Sequence, residues 1–556
     1  MRGADCGTTT LEYAYSTTTG LLSSLNATVQ NSSIPVTYTY QGANQLRSKA
    51  IGSVMTKAYN YCYNEDGGYR ASLPDYVNYR DSSGNLIYGD NCHYDSNGRL
   101  VKILDSGSST TTRAIYGYDQ QGQLTSATVG GTSYTYTYDT AGNIQSKKVG
   151  STTTNYYTYG NSAWRDLLTA YGGNTITYSG GNPTKYYDGS TFTWTQGRRL
   201  ATAKVGSTNI SYTYDMAGVR SSKTVGSTKY DFTTLSGLVT RQTGGGKTID
   251  FVYDENNQPL AMKYNNTLYY YVLNAQGDVI ALADQNGNLI AKYSYDPWGK
   301  LLSVTPNGWL DEQNAYYLEV AEANPLRYRG YYYDAETGFY YLQSRYYDPE
   351  IGRFINADSY ASTDATGLLS TNMFAYCEND PVNGSDPNGE WIHIAIGSAM
   401  GAVTSIITGY ASAKQAGKDY SLFMAVTDGL SGAASGALAA SGVGMVGQII
   451  GNAAIEVTKG IVNGQSSANE IIENAISGGA NGLIGGKGAS YGNANSITKS
   501  GKQMLKRIFK YKDPVKKAYA HYKKTAHCKG GKFVLSELSK SFAKTTAFSL
   551  FKGSTR

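Results

Sequence analysis

One short unit recurs along the first three-fifths of the 556-residue chain: Tyr-x-Tyr-Asp-x-x-Gly-x-Leu. Clear copies are Tyr116-Gly117-Tyr118-Asp119 with Gly122 and Leu124, and Tyr136-Thr137-Tyr138-Asp139 with Gly142 and Ile144. Others run from Tyr212 to Asp215 with Gly218, and from Tyr293 to Asp296 with Gly299 and Leu301. A shorter copy is Tyr94-Asp95 with Gly98 and Leu100, and a degenerate one is Phe192-Thr193-Trp194 with Gly197 and Leu200. Self-similarity of this kind marks a repeat architecture, in which each unit buries its apolar face only against its neighbours. The spacing predicts a strand, a turn and a return strand. Residues two apart in a strand share a face, so the tyrosines point together. The Asp can accept from turn amides, and the Gly supplies the positive φ that other residues resist. These aspartates therefore read as turn formers rather than as metal ligands or catalysts.

Composition supports a folded β-rich chain. Tyrosine occurs 52 times against 12 phenylalanines, and charged residues make up only 16 %. Disordered chains are poor in aromatics, whereas tyrosine, threonine and valine suit half-buried pleated surfaces. The five cysteines (Cys6, Cys62, Cys92, Cys377 and Cys528) are scattered, without CxxC or Cys/His ligand spacing, so neither a zinc site nor a disulfide framework is expected. Gly244-Gly245-Gly246-Lys247-Thr248 lacks the first glycine of a phosphate-binding loop and lies between repeats. No cofactor and no metal are expected. The opening residues carry no apolar signal-peptide core and already read as mid-array repeat, as if a longer N-terminal region preceded them.

The array resembles the YD repeats of bacterial RHS proteins over residues 1–300. The resemblance sharpens at Leu326-Arg-Tyr-Arg-Gly-Tyr-Tyr-Tyr-Asp-Ala-Glu-Thr-Gly-Phe-Tyr-Tyr-Leu-Gln-Ser-Arg-Tyr-Tyr-Asp-Pro-Glu-Ile-Gly-Arg-Phe-Ile-Asn356, which looks like the RHS-associated core signature. Asn372 to Tyr376, Asn379 to Asn383 and Asp386-Pro387-Asn388-Gly389 complete it. The resemblance implies a mainly β fold: a hairpin array at 1–300 curling into a partial shell, with the core at 301–389. It also implies a variable C-terminal effector beyond Gly389, and the wording of the core is similar to that of Gram-positive wall-associated members. In some relatives, aspartates matching Asp358 and Asp386 form a self-cleaving pair. Here Ser359 and Glu390 replace the proline and leucine of that pattern, which favours an uncleaved tail with both aspartates capping turns.

After Gly389 the texture changes. Residues 391–413 and 429–455 contain no Asp, Glu, Lys or Arg and are rich in Gly, Ala, Ser and Ile, with Gly-x-x-x-Gly spacings. They reach the length of a membrane span, but small residues replace the leucines that drive insertion. Residues 390–494 thus read as a Gly/Ala-rich helical linker, either packed as soluble helices or membrane-active. Residues 495–556 hold 16 Lys/Arg against two acids, so a tail of about +14 follows a body of about −8. Its spacing predicts a smaller α-helical, basic module. His521 and His527 are the candidate catalytic groups there: a His general base beside lysines would suit a nuclease.

Three readings of function stay open at this point. The first is an RHS scaffold carrying an effector in bacterial competition, with an immunity protein as partner and with nucleic acid or membrane contacts by the tail. The second is a non-enzymatic surface protein whose repeats bind cell-wall or surface carbohydrate. The third is a truncated, inactive remnant. The resemblance implies a secreted or surface location and a monomer.

Overall fold

The computed structural model describes residues 3–5, 9–41, 45–61, 73–151, 153–309, 311–358, 372–389 and 393–394. All belong to one compact unit, Met1–Ile396. The Gly/Ala-rich stretches, the basic tail, His521 and His527 lie outside the described residues.

The repeats form two long antiparallel meanders, each strand pairing with the next in sequence. A 16-stranded sheet runs from Gly3–Asp5 to Asn174–Thr175, and a 14-stranded sheet from Thr177–Ser179 to Leu301–Pro306. The register repeats as regularly as the sequence. In the pairing of Thr132–Tyr138 with Ile144–Val149, Thr137 faces Ser146 but Tyr138 faces Ile144. One extra residue therefore bulges beside each turn, which bends the strand and increases its twist. Burial alternates along Thr132–Tyr138, with Tyr134 and Tyr136 inside and Thr135 and Thr137 outside. On the outer face, hydroxyls pair across strands, as in Thr137 with Ser146 (2.7 Å) and Thr193 with Thr202 (2.6 Å).

The turn chemistry is uniform. Asp139 Oδ1 accepts the amides of Ala141 and Asn143, each at 2.9 Å, and Gly142 takes φ 75°. Asp95, Asp119, Asp254, Asp284 and Asp296 accept the same two amides of their own turns. The second tyrosine of most units has a further task. Its hydroxyl donates to the carbonyl of the hydrophobe that opens the preceding strand: Tyr118 to Leu100 (2.6 Å), Tyr138 to Leu124 (2.5 Å), Tyr159 to Ile144 (2.9 Å), Tyr214 to Leu200 (2.9 Å) and Tyr295 to Val279 (2.7 Å). Those carbonyls sit where the bulge interrupts the ladder, so the tyrosine satisfies an acceptor that would otherwise be buried without a partner. In the degenerate copy Trp194 does the same, donating Nε1–H to Pro183 at 2.6 Å.

A helix, Glu312–Ala323, capped by Asp311, follows the second sheet. The core signature then forms a four-stranded sheet of Tyr332–Asp334, Phe339–Leu342, Arg345–Asp348 and Arg353–Phe354. Its tyrosines join one continuous buried cluster with residues of both long sheets. A second cluster packs early strands, from Leu22 to Tyr79, against Val252 to Ala283. Buried ion pairs lock these contacts: Lys49 with Asp254 (2.6 Å) and Glu255 (2.8 Å), and Arg220 with Asp334 (2.5 Å). Cys92 and Cys377 are free and buried, and among the described residues no His/Cys/Asp/Glu group is arranged to hold a metal. No described helix is long and apolar enough to cross a membrane.

Candidate junction site

Asp358 and Asp386, 28 positions apart in sequence, meet on one arginine. Arg345 Nη2 lies 2.8 Å from Asp358 Oδ2 and 3.5 Å from Asp386 Oδ2. The arginine comes from the tight hairpin between Phe339–Leu342 and Arg345–Asp348, and its guanidinium stacks on the Phe354 ring, 3.5 Å from the centroid. The remaining donors are also engaged. Nη1 reaches the Met373 carbonyl at 3.1 Å, and Nε–H donates to the carbonyl of Gly389. The site is dry: side-chain exposure is 4 % for Arg345, 12 % for Asp358 and 2 % for Asp386.

Local backbone contacts set each group. Asp358 is anchored by its own amide, which donates to Met373 O at 2.9 Å, and Arg198 approaches its other oxygen at 3.5 Å. The Asp386 amide donates to the Tyr331 hydroxyl at 2.6 Å, and that hydroxyl in turn meets Tyr376 at 3.1 Å. Burial pushes both tyrosines well above their ordinary range, so they stay neutral hydroxyls. Asp386 Oδ1 caps its own turn, accepting the Gly389 amide at 2.8 Å. The Asn388 carbonyl accepts from both the amide (3.2 Å) and the hydroxyl (2.8 Å) of Ser344. Gly389 has φ 77°, and a Cβ there would stand 2.8 Å from the Leu342 carbonyl and 2.7 Å from Ser344 Oγ. Only glycine fits this passage.

The end of the core signature is thus gripped by the 342–345 hairpin: the Arg345 guanidinium holds the Gly389 carbonyl through Nε and both carboxylates through Nη2. An aspartic pair normally manages two close carboxylates by sharing a proton. Here a guanidinium supplies the counter-charge instead. Such a site can hold a carbonyl polarised beside a carboxylate, or it can simply tie the chain down. The sequence points to both aspartates but does not single out Arg345 or Arg198 as their partners. The one available signal was that Arg345 is a cation inside a tyrosine-rich run of buried residues, and a buried cation needs an anionic partner.

Two meanders of sequential hairpins with tyrosines inside and a tyrosine-rich core sheet against them define a YD-repeat protein. The model of the Teneurin YD-shell family matches residues 84–382, and the chain belongs to that family. Among curated proteins it is similar to the tRNA3(Ser)-specific nuclease WapA of Bacillus spizizenii, 36 % identical over 244 residues, covering 42 % of this chain and 10 % of that protein. It is also similar to the toxin protein Tse5 of Pseudomonas aeruginosa, 33 % identical over 131 residues, 23 % of this chain and 8 % of Tse5. The chain thus spans about a tenth of the length of these relatives. Among solved structures it resembles the TcdB2-TccC3-Cdc42 complex, with a TM-score of 0.56 at 19 % identity, over 68 % of this chain and 20 % of that one. At that identity the likeness is one of fold.

Proposed function

We propose that this chain is a section of YD-repeat shell that carries residues 390–556 as an effector in bacterial competition, secreted or displayed at the cell surface. The observation that carries the reading is the grip at Gly389. The chain is held there by hydrogen bonds to Ser344 and Arg345 at the end of the core signature. Similarity to a nuclease and to a toxin supports an effector beyond that point, and the basic tail with His521 and His527 supports nucleic acid as its target. A cognate immunity protein is the corresponding partner. Inducible cytoplasmic expression of residues 390–556, beside the His521→Ala, His527→Ala double variant, tests this. Growth arrest relieved by the double variant, with RNA or DNA degraded, is the expected result. Unimpaired growth with the protein demonstrably present would overturn the effector reading.

Junction hydrolysis by Asp358 and Asp386 is the alternative to a tail that stays attached, and the observation that favours it is their convergence on Arg345. It is read directly from the mass of the purified chain, intact or split after the core. A carbohydrate-binding surface is the rival reading. The exposed hydroxyl pairs repeated along the outer face, such as Ser294 with Ser303 at 2.6 Å, favour it. Glycan binding by the full chain without any toxicity would move the conclusion there.

A further inference from the structure

Asp348 is the one carboxylate of the core sheet whose surroundings are out of keeping with its charge. It sits in the strand Arg345–Asp348 with 2 % exposure, facing the turn after Asn182–Lys185 of the 14-stranded sheet. Its Oδ2 accepts from the hydroxyls of Tyr186 at 3.0 Å and Tyr187 at 3.1 Å, and its Oδ1 from the Glu350 amide at 2.8 Å. Among the described residues no Lys or Arg forms an ion pair with it. The nearby cations are engaged elsewhere: Lys300 with Glu350 (2.6 Å), and Lys147 with Asp296 (3.2 Å) and Glu350 (3.8 Å). Glu350 also accepts from Tyr171 at 2.9 Å. Also within electrostatic reach of the carboxyl are the Lys300 ammonium and the neutral phenols of Tyr171, Tyr333 and Tyr347. Edge-to-face rings, Tyr171 on Tyr187 (4.9 Å) and Tyr186 on Phe339 (5.7 Å), seal the seam from water.

We propose that Asp348 is a proton-operated seal between the core sheet and the second repeat sheet: protonated it closes the seam, and ionised it loosens it. A protonated Asp348 can donate to one of the two tyrosine hydroxyls, which rotates to accept, while the other still donates to it, and no buried charge remains. An ionised Asp348 is a buried charge with no ion-paired cation, next to the negative Glu350, which takes the Lys300 ammonium. Burial first, and the Glu350 charge second, push the Asp348 carboxyl up to about 7, in keeping with this geometry. The sign follows from linkage. A carboxyl raised in the folded state contributes stability that is complete below its unfolded value of about 4 and is lost as pH rises to about 7. This inference does not depend on whether the tail is toxic.

The test is hydrogen exchange of the full chain between pH 5 and pH 8.5, read by mass spectrometry and corrected for intrinsic rates. Peptides covering 182–192 and 339–354 are expected to lose protection as pH rises, by up to roughly tenfold per pH unit on the acid side of about 7, the limit set by a single proton. Peptides covering 124–138 of the first sheet serve as the reference. Asp348→Asn should abolish the pH dependence at the seam. Tyr187→Phe, which removes one donor to the carboxylate, should steepen the loss at neutral pH. Flat wild-type protection at the seam across this range would overturn the proposal, and so would an undiminished pH dependence in Asp348→Asn.

Discussion

Replacing Arg345 with methionine removes the guanidinium but keeps an unbranched apolar stem of similar reach over the Phe354 ring, so the change is chiefly one of charge and donors. What remains is Asp386 at 2 % exposure and Asp358 at 12 %, both without their shared cation. Removing one partner of a buried ion pair costs about 3–5 kcal/mol, because the other charge stays desolvated and uncompensated. Here two carboxylates lose their shared cation and the carbonyls of Met373 and Gly389 each lose a donor, which places the expected cost at the upper end of that range. Arg198, 3.5 Å from Asp358, offsets part of it. A loss of about 3–5 kcal/mol raises the local opening equilibrium by roughly two to four powers of ten. Because a chain of this size need not unfold in one step, the assay is local: exchange protection of peptides spanning 342–346 and 384–389. Adding Asp386→Asn to the methionine variant should restore part of the protection, since it removes the more deeply buried of the two charges that lost the guanidinium. A loss below about 1 kcal/mol, or no rescue by the second change, would refute the view that Arg345 holds the junction electrostatically.

The other predictions concern the same grip and the repeat ladder. Gly389→Ala forces a Cβ against the Leu342 carbonyl at a φ of 77°, so the junction turn should open and a protease should cut near residue 389 faster than in the native chain. Tyr138→Phe deletes the hydroxyl that donates to Leu124 O while leaving the ring in place. About 1–3 kcal/mol of local protection should be lost at residues 124–144, because a buried acceptor is left without its partner, and an exchange map would show whether the effect spreads to neighbouring repeats.

Part of this was legible in the chain itself. The period-2 tyrosines gave the inward face, and Asp139 and Gly142 gave the turn, because both depend on contacts within a few residues. The bond from Tyr138 to Leu124 was not legible as a bond, although the fixed spacing of tyrosine and leucine carries it, because a hydroxyl's acceptor depends on register. Asp358 and Asp386 stood out by their place in the core signature. Arg345 did not, since nothing in a linear string shows that a hairpin loop folds back over the Asp-Pro-Asn-Gly turn. Asp348 likewise reads as a turn aspartate before proline. Its lack of a cation emerges only when Lys147 and Lys300 are seen to be taken by other acids.

By itself the sequence determined the local geometry: strand, turn and return strand, repeated, with tyrosines on one face and hydroxyls on the other. It did so because those preferences are set by side-chain alternation and by backbone dihedrals that act over a handful of residues. Tertiary structure decided what is long-range. It set the division into two sheets at residue 176, the pairing of Lys49 with Asp254 across 205 positions, and the convergence of two aspartates on Arg345. Those choices belong to tertiary structure because charges buried far apart in sequence are tolerable only where packing brings their partners together.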